Sequence, residues 1–146
     1  MLGIRLGYYS TDPDTMWAID SLIQFMEDNY EMMIFRCSKP LFGQETTAQD
    51  DEKFVAYYDK MVPFLEKRLE EHGRKYIAGT DTLTIADLKV YQGFTAILDN
   101  IQNPAPDYLK DYARGRVNLA SNLKRYLDNL KQEMTGWMQN RVNTAL

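Results

Sequence analysis

The sequence is nearly without thiol and imidazole: Cys37 is its only cysteine and His72 its only histidine. A lone cysteine excludes an intrachain disulfide framework and fits a reducing compartment. One cysteine and one histidine are also too few for a His/Cys cluster, so no metal site is expected. There is no basic excess either, with 17 Lys+Arg against 21 Asp+Glu and a formal charge of −4. The two signs are interspersed, which argues against a cationic face for nucleic acid. Long apolar runs are missing. No segment approaches the roughly 20 apolar residues that span a bilayer, and MLGIRLGYY has no basic region followed by an apolar signal core. A cytoplasmic protein with no membrane span is expected. Repeats, low-complexity segments and alternating strand patterns are absent from the sequence.

What is present is helical periodicity. A chain of 146 residues suits one domain and buries roughly 70% of its extended surface. Asp12-Pro13 is a helix start, with Asp at the N-cap and Pro at the first helical position. From there Met16, Ile19, Ile23, Met26, Tyr30, Met33 and Ile34 mark one apolar face of a helix to about Arg36. Trp17, Leu22, Phe25 and Phe35 lie off that stripe, which predicts that the helix buries two faces. Residues 39–43 end it, and 44–51 read as a polar loop. The next helix is expected from about Asp51 to Glu71, kinked at Pro63 and closed by His72-Gly73. Asp107 is the expected N-cap of a helix through Tyr108, Leu109, Tyr112 and Val117. Another helix follows over about 120–131, with a last turn near Trp137 and Met138.

The best-marked element starts at Thr84. Thr84-Ile85-Ala86-Asp87 has capping-box spacing, in which the hydroxyl accepts from the Asp87 N–H and the carboxylate reaches back to the Thr84 N–H. Leu83 and Leu88 are placed as the hydrophobic staple. Thr84 and Asp87 are therefore assigned to folding. The helix they open, Ile85 to about Ile97, carries Lys89 as its one Lys or Arg and so belongs at the centre of a bundle.

The run Tyr76-Ile77-Ala78-Gly79, followed by Leu83-Thr84-Ile85-Ala86-Asp87, resembles the signature of the C-terminal domain of the glutathione transferase family. Ala18-Ile19-Asp20 and Glu27-Asp28-Asn29 are similar to the first helix of that domain in the mu-, pi- and sigma-like branch. Val62-Pro63-Phe64-Leu65-Glu66 resembles the Pro-Phe-Glu segment of its second helix, and Arg116-Val117, Leu123-Lys124 and Tyr126-Leu127 its late helix-turn-helix. The resemblance implies an all-α fold, an orthogonal helical bundle of the glutathione transferase C-terminal type, over residues 10–146. Residues 1–9, with LGIRLGYY and Gly7 as a C-cap, resemble the end of the preceding domain's last helix plus the linker.

In that family a thioredoxin-like domain holds glutathione and supplies the Tyr or Ser that stabilises its thiolate, starting from a thiol pKa near 8.5. This sequence contains nothing that matches that domain, so no catalytic residue is assigned and the isolated chain is not expected to catalyse conjugation. The resemblance implies glutathione as co-substrate, small hydrophobic electrophiles as partners, and either a homodimer or docking to a thioredoxin-like domain or another protein. Asp28 matches the acidic residue that contacts the γ-glutamyl amine of glutathione held by the other subunit; read without the resemblance, it is an exposed helix carboxylate beside Glu27 and Glu31. Glu31, Ile34 and Ser38 lie at helical spacing on the stretch that lines the family's electrophile pocket, Ser38 standing where related enzymes often carry a Tyr. The other reading is a free-standing, non-catalytic module for dimerisation or assembly into a larger complex. The stub LGIRLGYY favours the enzyme half, since a protein shaped to stand alone is expected to dispense with it. In either reading the isolated bundle is expected to expose apolar surface and associate. Cys37 lies near a helix C-terminus, where the dipole disfavours a thiolate, with Arg36 and Lys39 opposing.

Overall fold

In the computed structural model the described residues, 2–72 and 75–135, form six α-helices and no strand. The short helix α1 (Leu2–Arg5) ends at Gly7, whose φ of 78° is a left-handed turn. The Gly7 and Tyr8 N–H groups donate back to the Ile4 and Gly3 carbonyls, so α1 closes as a helix end. Residues 8 and 9 are then tied down at two points. The Ile85 N–H donates to the Tyr8 carbonyl at 2.9 Å, and the Tyr9 hydroxyl donates to Asp20 Oδ2 at 2.6 Å.

Helix α2 (Pro13–Ser38) starts as its sequence dictates, with the Thr15 N–H donating to the Asp12 carboxylate at 2.9 Å. A four-residue 3-10 turn, Lys39–Phe42, follows and closes on Gly43, φ 67°. The expectation that α2 buries two faces is corrected. Leu22 is fully buried, but Trp17 is 72% exposed and Phe35 44% exposed, so one side of α2 faces solvent.

Helix α3 (Ala48–His72) begins earlier than expected, because Thr47 and Asp50 cap it. The Thr47 N–H donates to Asp50 Oδ2 at 2.8 Å while the Asp50 N–H faces the Thr47 hydroxyl. The helix continues through Pro63, which lies on its exposed side. Gly73, expected to close the helix, lies outside the described residues, as do Trp137 and Met138.

Helices α4 (Ile85–Leu98), α5 (Asp107–Leu119) and α6 (Ser121–Glu133) complete the bundle. Asp107 is the first residue of α5 rather than its N-cap. Pro106, with extended backbone at φ −67° and ψ 153°, holds that place and can supply no side-chain acceptor. Ala120 alone separates α5 from α6, and the Glu66 carboxylate of α3 takes over the capping of α6, accepting from the Asn122 and Leu123 N–H groups at 3.1 and 2.7 Å.

The core runs between α2, α3 and α4. Met26 and Met33 of α2, Phe54, Tyr58 and Leu65 of α3 and Phe94 and Ile97 of α4 are almost fully buried. Tyr58 sits edge-on to Tyr57 and Phe94, with ring centroids 5.2 and 5.7 Å away. Both α3 and α4 also pack on α5 and α6, so α4 has the central place its apolar sequence demands.

Candidate functional site

The residues singled out from sequence fall in two places. Thr84 and Asp87 form a buried knot at the start of α4. The capping box is formed: the Thr84 N–H donates to Asp87 Oδ2 at 2.8 Å. The Thr84 hydroxyl does more than was expected of it, donating its own proton to the same oxygen at 2.7 Å. Asp87 Oδ1 accepts two further bonds, from the Ile77 N–H at 2.9 Å and the Tyr126 hydroxyl at 2.8 Å. Asp87 is 0% exposed, and its carboxylate is held by four donors from three residues, Ile77, Thr84 and Tyr126. Burial pushes the Tyr126 phenol well above its ordinary range, which keeps it a proton donor to Asp87.

Asp28, Glu31, Ile34 and Ser38 lie along the C-terminal half of α2. Asp28 and Glu31 are exposed; Ile34 and Ser38 are half-buried. The Asp28 carboxylate accepts one bond, from Gln24 Nε2 at 2.6 Å on its own helix. Beside it Glu27 is ion-paired with Lys89 of α4, and the Lys89 ammonium lies 5.6 Å from the Tyr30 ring centroid. Sequence spacing did not single out Lys89 or Tyr30 as neighbours of this face, because the pairing of α2 with α4 is tertiary.

A cavity of about 600 Å³ lies elsewhere, where residues 8 and 9 cross the bundle: Tyr8, Leu83, Leu88 and Tyr91 line it with Glu133 and Met134 from the end of α6. Its size suits a drug-sized ligand or an inserted side-chain cluster. Cys37 is not a reactive group: it is 0% exposed, and burial pushes its thiol up to about 11 despite the nearby Asn103, Arg36 and Lys110. Among the described residues no group of His, Cys, Asp and Glu is arranged to hold a metal ion, and no helix is long and apolar enough to cross a membrane.

An all-helical bundle with a buried Thr/Asp box opening its central helix is the architecture on which the sequence motifs converge. The family model for the glutathione S-transferase C-terminal domain matches residues 33–133, more than half of the chain. The chain belongs to that family. Ile34, Ser38, Thr84 and Asp87 lie inside the matched stretch, and Asp28 and Glu31 just before it. Comparison with curated proteins and with solved structures gives no match.

Proposed function

We propose that this chain is the electrophile-side half of a cytoplasmic glutathione transferase of the mu-, pi- and sigma-like branch, working in detoxifying conjugation and inactive until joined to a thioredoxin-like domain. The observation that carries this reading is the family match over residues 33–133, taken with an exposed carboxylate, Asp28, one turn before it. In this reading the thioredoxin-like domain binds glutathione and makes its thiolate. This chain contributes a carboxylate that holds the ammonium end of glutathione across a dimer. Glu31, Ile34 and Ser38 form one wall beside the electrophile, where Ile34 supplies apolar contact and Ser38 a small polar one.

The dimer has physical support in the charges of α2 and α3. The two helices run antiparallel, with the Phe25 and Phe64 rings 4.2 Å apart between them. Asp28 and Glu31 are exposed on α2, and Lys53, Lys60 and Lys67 are exposed on α3 at seven-residue spacing. A two-fold axis parallel to the helix pair would bring Asp28 and Glu31 of each copy towards the partner copy's lysines. The same surface suits the second reading, a non-catalytic module for dimerisation or assembly.

Conjugation of glutathione to an aromatic electrophile by the native protein tests the first reading. There Asp28→Asn raises KM for glutathione about tenfold and leaves kcat little changed, the loss of one charge-assisted bond. An unchanged KM contradicts the role given to Asp28, and absence of any conjugation favours the module.

A further inference from the structure

Two of the cavities, the one of about 600 Å³ beside residues 8 and 9 and one of about 210 Å³ between α2 and α4, are walled mainly by apolar side chains. A third, about 340 Å³, lies between the end of α3 and α6 and has a polar rim. Leu69 and Tyr126, both buried, form its floor, and the exposed Glu70, Arg125 and Asn129 stand around it. Its volume falls in the range of small-molecule sites.

The charges of the rim are held apart and left open. Arg125 is set in place from behind: the Glu66 carboxylate accepts from Asn122 Nδ2 at 3.0 Å, and Asn122 Oδ1 accepts from Arg125 Nη2 at 3.0 Å. That uses one of five guanidinium donors, and among the described residues the Arg125 fork has no carboxylate to grip. Glu70, on the facing helix, carries no cation among the described residues, and it is not paired with Arg125 although both line the cavity. Lys75 differs, because Glu133 and the Tyr76 hydroxyl already take its ammonium. A guanidinium and a carboxylate facing one cavity without a bridge between them, over an apolar floor, call for a guest with both charges and an apolar branch. An α-amino acid is a small molecule with that pattern.

We infer that this cavity binds a free α-amino acid with an apolar side chain, its carboxylate on Arg125 and Asn129, its ammonium on Glu70 and its side chain on Leu69 and Tyr126. The site uses none of the residues given a part in conjugation, so its test stands apart from that reading. Titration of the full chain with L-leucine, N-acetyl-L-leucine and L-leucinamide, followed by amide NMR, removes the two charges of the guest one at a time. The contacts are open to solvent, so L-leucine is expected to bind saturably but weakly, with a Kd of about 1 mM, and to move the Asn129 side-chain signals. Arg125→Met weakens L-leucine and N-acetyl-L-leucine about fivefold and leaves L-leucinamide unchanged. Glu70→Gln weakens L-leucine and L-leucinamide about fivefold and leaves N-acetyl-L-leucine unchanged. Dispersed amide spectra check that both variants fold. No saturable L-leucine binding up to about 50 mM, a variant that leaves L-leucine unweakened, or one that weakens all three guests equally would each overturn the inference.

Discussion

Asp87 and Tyr58 are opposite solutions to burying a polar group. The Asp87 carboxylate is fully enclosed and fully paired, whereas the Tyr57 and Tyr58 hydroxyls are enclosed with no partner among the described residues. An unmade buried hydrogen bond costs about 1 to 3 kcal/mol, and a made one to a charged group contributes about 1.5 to 3 kcal/mol. Removing one hydroxyl atom therefore has different consequences in the two places. Tyr126→Phe, which strips a donor from Asp87, is expected to lower stability by about 2 kcal/mol, and Tyr58→Phe to leave it unchanged or raise it by up to about 1 kcal/mol. Urea unfolding midpoints at constant slope decide this; Tyr58→Phe destabilising the chain more than Tyr126→Phe contradicts the account. The Thr84/Asp87 half of the knot was legible in four consecutive residues, because a capping box is a local geometry. The Ile77 and Tyr126 half was not, since Tyr126 reaches Asp87 across 39 positions that only the fold brings together.

The start of α3 shows how a helix boundary can be present in a sequence and still be missed. Thr47-Ala48-Gln49-Asp50 has the spacing of the Thr84 box, but it sits in a polar run with no apolar periodicity to mark it. The Lys39 ammonium adds two bonds to Asp50, at 2.7 and 2.8 Å, and with the Thr47 donors holds its carboxyl down at about 2. The unfolded value is about 3.9, so the native state is favoured by ionised Asp50: its contribution is complete above about pH 5 and is lost as pH falls through about 4 towards 2. Asp50→Asn is expected to lower the melting temperature at neutral pH and to flatten its decline between about pH 5 and pH 2. Thermal melts across that range check this, and parallel curves for the two proteins contradict it. For α2 the spacing located the helix and its inner face correctly. Its outer face was misjudged because Trp17 and Phe35 are apolar yet exposed, and no period distinguishes an apolar residue facing the core from one facing a partner.

At the scale of the whole molecule, the architecture was readable because helical period and family motifs agree from Asp12 to Lys131, even where the caps of α3 and α5 were misplaced. The candidate site was only partly readable. Sequence placed Asp28, Glu31 and Ile34 on one helix and Ser38 at helical spacing just past its expected end near Arg36, but the cavities depend on how that helix meets α4 and how residues 8 and 9 cross the bundle. Tyr8 joins the wall of the 600 Å³ cavity, and Leu6 just before it is 60% exposed. The central claim, that this helical half works with a thioredoxin-like partner, is tested most directly by the intact mass of the native protein captured from its source with an antibody against residues 44–51. The account predicts a polypeptide heavier than 17.0 kDa by a thioredoxin-sized domain. A native chain of 17.0 kDa, recovered with no thioredoxin-like protein bound to it, would contradict it.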